Sequence, residues 1–484
     1  MKKRYMSLML TGVMAASLLV GCGSGSSSGS SATASSDTTE AATEEASTAS
    51  TEETMTAGTG TAGTINLWAF TDEVPGMVDK YIEAHPDFQY KVNSTIIATT
   101  DGAYQPALDQ ALQAGGDEQP DMYCAEAAFI LKYSKGDMAD YAMPYKDLGI
   151  DIDAEIKKAN IAQYTIDIGS NAAGEVDALG YQATGGAFIY RRSIAKDVFG
   201  TDDPTKISEI IGGGSQSWDK FWEAAKTLAD KGDAIVSGDG DIWHAFENSS
   251  DTGWLNADGQ LQIDPKREAF LDASKNLTDN GWSNQTQDWQ DAWFADMKGE
   301  GTKPVFGFFG PAWLINYTLA PNCGGEKAGE GTYGDWAVCD SPVGFFWGGT
   351  WLLANKNMDS AKINAVKDLI EWITLDCTED GLQYKWANGT LNGEGGTKDA
   401  VASGTVMDMS DGSLDFLGGE NMFDYFVPAN QYAKGTNMTQ YDESINNLWR
   451  DQVRSYAAGE KDRDAAIADF KQNVNDNLGI EAAE

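Results

Sequence analysis

The chain has 484 residues and a formal charge of −40, from 34 Lys and Arg against 74 Asp and Glu. That balance excludes a nucleic-acid binder, which needs a basic footprint, and disfavours acidic ligands. No Gly-Lys dipeptide occurs, so the chain has no Walker A loop to cradle ATP phosphates.

The first 22 residues set the compartment. Lys2, Lys3 and Arg4 precede an apolar run from Met6 to Val20. A run that short, with a positive start, is a signal peptide and not a spanning helix. Leu19-Val20-Gly21-Cys22 resembles the lipobox of bacterial lipoproteins. The resemblance implies that Cys22 carries a diacylglycerol thioether and anchors the mature protein to a membrane, since paired acyl chains hold where one does not. From Gly23 to about Gly63 the chain is almost only Gly, Ser, Ala, Thr and Glu, without an aromatic residue, Lys or Arg. Such a segment has too little apolar surface to offset its ordering entropy, so 23–63 is expected to be a disordered tether. Gly25-Ser26-Ser27-Ser28-Gly29 fits a hydrolase nucleophile pattern, but it has neither the strand before it nor the helix after it that the pattern needs.

Beyond the tether, strand and helix signals alternate. Ile65 to Phe70 predicts a strand, and Val74 to Ala84 a helix that ends before Pro86. Tyr90, Val92, Ser94 and Ile96 alternate as a strand. Ala107, Leu108, Ala111 and Leu112 have helical spacing, with Gly115 placed to stop the helix. Asp121 to Ala125 is a buried strand. Later come a strand at 187–190, a helix capped by Ser217, strands at 305–309 and 351–354, and amphipathic helices through Ile363–Ile373 and Ile467–Leu478. The βαβ rhythm predicts an α/β fold with largely parallel sheets. Roughly 420 residues are left for folded structure, enough for two domains.

Cysteine and histidine offer little for metal. Cys124, Cys323, Cys339 and Cys377 contain no Cys-x-x-Cys pair, and only His85 and His244 are available. Asn256-Ala257-Asp258-Gly259 is no EF-hand, because Trp254 and Pro265 would fall at the first and last ligand positions. No metal or other cofactor is expected. Cys323 and Cys339 flank a Gly-rich segment and are a candidate disulfide, worth about 3 kcal/mol for a loop of that size.

Several segments, in order, resemble the extracellular solute-binding proteins of ATP-binding-cassette importers, in the sugar-binding branch with maltose-binding-like proteins. They are Pro120-Asp121 before a strand, Ala187-Phe188-Ile189-Tyr190-Arg191 followed by Ser217-Trp218-Asp219-Lys220-Phe221, Phe309-Gly310-Pro311-Ala312-Trp313, Gly348-Gly349-Thr350, and the region Trp449 to Leu478. Arg191 departs from the family's usual Asn. The resemblance covers about 65–484. It implies a two-lobed, type II periplasmic-binding-protein-like fold, closing by hinge motion on a ligand in the cleft. The N-lobe would be 64–183 and 350–422, and the C-lobe 184–349 and 423–484. It also implies binding without turnover, a monomer, and partner permease subunits that supply the transport energy.

A sugar offers an apolar C–H face and a rim of hydroxyls, so its receptor needs aromatic platforms and a few aimed polar groups. Of 15 tryptophans, Trp68, Trp243, Trp313, Trp347 and Trp351 sit beside turn signals at predicted strand ends, where α/β sheets bind ligands. Asp101, Glu126, Gln182, Asp239 and Asp241 are the candidate hydroxyl partners there. Trp218, Trp222 and Trp372 lie on helical faces and belong to the core. The expected ligand is a carbohydrate, in the first instance an oligosaccharide. The competing readings are a surface glycoside hydrolase, which needs two carboxylates about 5 to 10 Å apart across the cleft, and a receptor for a cationic peptide or polyamine held by cation–π contacts. Cys22→Ser is expected to release the protein from membranes with ligand binding intact; full partition of the variant with membranes would rule out the anchor.

Overall fold

The computed structural model describes residues 52–99, 102–393 and 395–483. The expected signal peptide, Cys22, the expected tether up to residue 51 and Asp101 lie outside the described residues.

Two sheets organise the chain. The first has six strands in the order β1 (Glu53–Ala57), β3 (Tyr90–Ile96), β2 (Gly63–Ala69), β4 (Met122–Glu126), β9 (Thr350–Ala354) and β5 (Ala178–Gly180). Ile65, Leu67 and Ala69 of β2 alternate into the core, as a half-buried strand requires. The helix Glu73–Ala84 joins β2 to β3 and buries Val74, Met77, Val78 and Tyr81 on one face. The next helix, Tyr104–Ala114, stops at Gly115, whose φ of 64° a glycine adopts without strain. Buried Asp121 then fixes the start of β4. It accepts from the Asn66 amide at 2.8 Å and pairs with Lys362 at 2.8 Å.

The second sheet is β7 (Gly307–Gly310), β6 (Ala187–Arg191) and β8 (Trp336–Cys339). One of its faces packs against helices Asp219–Ala229, Gly240–Ser249 and Pro265–Asp279, and the C-terminal helices Asp442–Ala457 and Arg463–Leu478 close the same core. Trp254 is the centre of that closure, with Trp449 at 5.9 Å and Phe470 at 5.3 Å between ring centroids, and the Arg267 guanidinium 4.2 Å over its ring. The chain leaves the first sheet through residues 181–186 and returns through 340–349.

Three sequence expectations need correction. The sheets are not largely parallel. Only β2–β3 and β2–β4 run parallel; β1–β3, β4–β9, β5–β9 and both pairings of the second sheet are antiparallel. The parallel pairs are those joined by helical crossovers, whereas β9 and β5 lie at the chain's passages between sheets and no crossover sets their direction. Residues 23–63 are not all tether. Thr54, Met55 and Thr56 lie in β1, which pairs with β3 from Glu53↔Ile96 to Ala57↔Val92. Its order comes from hydrogen-bonding to an existing sheet edge, which composition alone does not register.

The third correction concerns the disulfide. Cys323 and Cys339 are both buried free thiols, as are Cys124 and Cys377. Successive side chains of a strand point to opposite faces. In β8, Trp336 and Val338 face the core that holds Cys323, while Ala337 and Cys339 face the other core. The sheet itself therefore separates the two sulfurs. Cys323 instead donates its S–H to the carbonyls of Ala320 (3.0 Å) and Gly325 (3.2 Å). A chain lacking residues 1–22 is expected to titrate four thiols per molecule in denaturant without reductant, and its melting temperature to be indifferent to dithiothreitol. Two thiols would restore the bridge.

Candidate ligand-binding site

A cavity of about 170 Å³ opens at the C-terminal end of β4. Its walls come from four segments: Glu126–Ala128 after β4, Trp243–Asn248 of the helix Gly240–Ser249, Phe346–Gly348 of the returning passage, and Met438–Arg450. The register Glu126↔Thr350 puts the end of β4 beside the start of β9, so Gly348 approaches Glu126 and Trp347 lines the same cavity. Gly348 has φ 74°. A Cβ there would sit 3.4 Å from Trp313 Nε1 and 3.6 Å from Glu126 Oε1. Glycine therefore gives both the left-handed turn and the close approach.

Glu126 receives the Ala128 amide on Oε2 at 2.9 Å. Burial lifts its carboxyl from 4.5 to about 7, and the nearby Glu443 and Glu247 add repulsion. His244 stacks on Trp347, centroids 4.6 Å apart at 24°, and its Nδ1 meets Glu247 Oε2 at 3.0 Å. Burial would raise Glu247, but the hydrogen bond and charge of His244, with the charge of Arg267, outweigh it and hold that carboxyl low. Asn446 also donates to Glu247. Arg450 lines the cavity and donates through Nη2 to Asp288 at 2.6 Å.

The aromatic wall continues outward from Trp347. Trp313 donates its Nε1–H to the Trp347 carbonyl at 3.0 Å, and the two rings meet edge-on at 4.9 Å. Trp289 follows, 5.9 Å from Trp347 and 6.3 Å from Trp313. These indoles and the His244 ring offer broad apolar faces beside carboxylates and amides, the surface a polyhydroxylated ring requires.

The structure gathers only some of the sequence candidates. Glu126, Trp243 and Trp347 line the cavity, and Trp313 adjoins it through Trp347. Trp243 lies on a helix, not at a strand end, and is only 1 % exposed, packed on Phe270. The others lie elsewhere. Trp68 is half-buried and packs against the core beside the first sheet. Trp351 is 1 % exposed inside β9 and donates to the Thr165 carbonyl at 2.9 Å. Gln182 donates to Asp399 at 2.8 Å in the interior. Asp241 accepts from the amides of Ser237 (2.8 Å) and Gly238 (2.9 Å) and from Trp293 Nε1 (2.8 Å), so its carboxylate braces a turn. Asp239 accepts from Ser274 at 2.8 Å and lines a separate recess. Sequence reasoning missed His244, Glu247, Asn446, Arg450 and Trp289. Trp289 alone carried a signal: it stands in the polar run Gln285-Thr286-Gln287-Asp288-Trp289-Gln290-Asp291, which has no apolar face to bury it.

Away from this cavity, Tyr317 donates to Glu73 Oε2 at 2.7 Å, and Tyr181 donates to the other oxygen of that carboxyl. Tyr317 follows Trp313 in the segment after β7, while Glu73 opens the helix that packs on the first sheet. The pair ties the two sheets' neighbourhoods together. Among the described residues, no group of three or more His, Cys, Asp or Glu converges as a metal centre, and no helix is long and apolar enough to cross a membrane.

These features define a two-lobed α/β binding protein with an aromatic cleft. Residues 76–408 match the family described as bacterial extracellular solute-binding protein, and the chain belongs to that family. Similar solved structures include an extracellular solute-binding protein of family 1, at 16 % identity and a TM-score of 0.66 over 85 % of this chain and 99 % of that one. The sugar-binding protein MalE of Xanthomonas citri has 16 % identity and a TM-score of 0.63 over 86 % and 97 %. The galacto-N-biose/lacto-N-biose I-binding protein of a Bifidobacterium longum ABC transporter, in complex with lacto-N-biose, has 16 % identity and a TM-score of 0.61 over 87 % and 98 %. At such identities the likeness is one of fold. No curated protein matches the chain.

The raised carboxyl gives a pH test. A carboxyl with a folded pKa above its unfolded value binds more protons when folded, so stability falls as pH rises from about 4.5 through 7. Asp241, Asp399 and Asp442, also raised to about 7 by burial, share this trend. Glu126→Gln is expected to add up to about 3 kcal/mol to the unfolding free energy at pH 8 and to change it little at pH 4, measured by urea denaturation. An equal effect at both pH values would show that folding does not shift the Glu126 carboxyl.

Proposed function

We propose that this chain is a lipid-anchored extracytoplasmic receptor that captures a carbohydrate between its lobes and delivers it to the permease of an ABC importer. The observation that carries the reading is the cavity lined by Trp347, His244 and Glu126, with Trp313 braced behind Trp347. Its walls come from both sheets' neighbourhoods, and a ligand favours a closed form only by touching both. Structural neighbours that hold lacto-N-biose and β-1,6-galactobiose support a sugar as ligand. The lipobox-like Cys22 supports the anchor, and the absence of a Walker A loop supports partner subunits as the energy source. The lobes divide at 183/184, 349/350 and 422/423 in this reading, so the hinge includes Gly348 and Gly349. Tyr317–Glu73 is a contact of the closed form. The acidic lining from Glu126, Asp442 and Glu443 keeps a polyamine or cationic peptide as the second reading.

A thermal-shift panel of glycans and polyamines separates the two, since a ligand at about 100 times its dissociation constant adds about 2.7 kcal/mol. Trp313→Ala and Trp347→Ala are each expected to weaken binding of the responding sugar by about 1–4 kcal/mol in calorimetry, with smaller changes in melting temperature than Trp222→Ala. Saturating sugar is expected to reduce the radius of gyration in solution scattering. A response to polyamines alone would replace the sugar reading, release of shorter saccharides on incubation would make the protein a hydrolase, and unchanged scattering would leave a rigid cleft.

A further inference from the structure

Trp289 is the exposed indole that the fold should least tolerate. It is 51 % exposed, and its backbone has φ 66°. The left-handed region is costly for a bulky side chain, and such strain persists only where the surroundings enforce it. Here they do. The preceding residue, Asp288, is gripped by Arg450 at 2.6 Å, and Arg454 lies 3.8 Å away. Upstream, the amides of Asn284 and Thr286 both donate to the Ser237 carbonyl, and Gln285 between them is also left-handed at φ 56°. Downstream, the amide of Trp293 donates to the Gln290 carbonyl at 2.9 Å. The loop is thus held on both sides of an indole that gains little burial in return.

The position of the ring suggests what it is held for. Trp289 lies within 11° of parallel to Trp313, with centroids 6.3 Å apart, and stands edge-on to Trp347, which lines the cavity. The clamp on its loop is Arg450, itself a cavity residue. The inner cavity and the outer ring are therefore one continuous construction.

We infer that Trp289 forms an outer subsite that stacks a further pyranose ring of an oligosaccharide whose first ring occupies the cavity beside Trp347. This rests on the sugar reading above and adds chain length to it. An exposed aromatic face beside an open cavity suits the apolar face of a second sugar ring, because stacking tolerates varied hydroxyl patterns while excluding water. The inner carboxylates and amides then select the first ring, and Trp289 selects for a ligand of at least two.

The test uses the full chain without its signal peptide, with glucose to maltotetraose and galactose to β-1,6-galactotriose as probes, read by calorimetry. Trp289→Gly removes the ring and suits the backbone angle; Trp289→Tyr keeps an aromatic face. For Trp289→Gly we expect affinity for chains of two or more rings to fall roughly 10–100-fold, the span of a lost aromatic anchor, with single-ring affinity within about two-fold. Its melting temperature should be unchanged or higher, since the strain is relieved. Trp289→Tyr should recover most of the loss. Equal losses at every chain length, or none at any, would overturn the outer subsite while leaving the sugar reading in place. Failure of the wild-type protein to bind any member of either series would overturn both.

Discussion

The pairing of β4 with β9 is the constraint on which the site depends. Glu126 stands opposite Thr350, so the end of one strand and the passage that leads into the other are forced into contact. The placement of Trp347 follows from that contact, while Trp243 and His244 come from the helix Gly240–Ser249. Trp347 lines the same cavity as Glu126 because Gly348 and Gly349 turn the chain at φ 74° and 110°. At Gly349 a Cβ would come within 3.2 Å of the Trp351 ring, which would have to give way, and the φ of 110° itself strains any other residue. Trp313 then locks the arrangement from the second sheet by donating to the Trp347 carbonyl. A strand register in one sheet thereby fixes an indole from the other.

The candidate polar groups divide by what they are already bonded to. Asp241 accepts from backbone amides and Trp293, and Gln182 donates to Asp399, so the first braces a turn and the second an interior pair. Glu126 has one oxygen committed to the Ala128 amide, and its other oxygen lies near Gly348 on the cavity side. Burial holds its carboxyl at about 7, so near neutral pH it can either donate or accept. That suits hydroxyls, which do both. Glu247 is different: His244, Asn446 and Arg267 keep it ionised, and it orients the His244 ring against Trp347.

The sequence by itself determined the elements of local origin. Apolar alternation in 65–70 and 90–96, helical spacing in 74–84 and 363–373, and the stop at Gly115 all gave elements close to where they stand. Each depends on residues within a few positions of one another, and the chain's own period reports them. The ordered motifs from Pro120-Asp121 to the C-terminal helix identified the family for the same reason, because they are local signatures kept in sequence.

Tertiary structure decided what depends on distant partners. β1 looked like tether because its order comes from the edge of β3, about 40 positions away along the chain by the pairing Glu53↔Ile96. Cys323 and Cys339 looked close in sequence but lie on opposite faces of β8. Trp351 and Trp347 stand four positions apart beside the same turn; one is core and the other lines the cavity, and only the direction of β9 distinguishes them. His244 and Arg450 reach the cavity from helices more than 200 positions apart in the chain. No local pattern encodes such convergence, since the free energy that fixes it is the burial and hydrogen bonding of the assembled lobes.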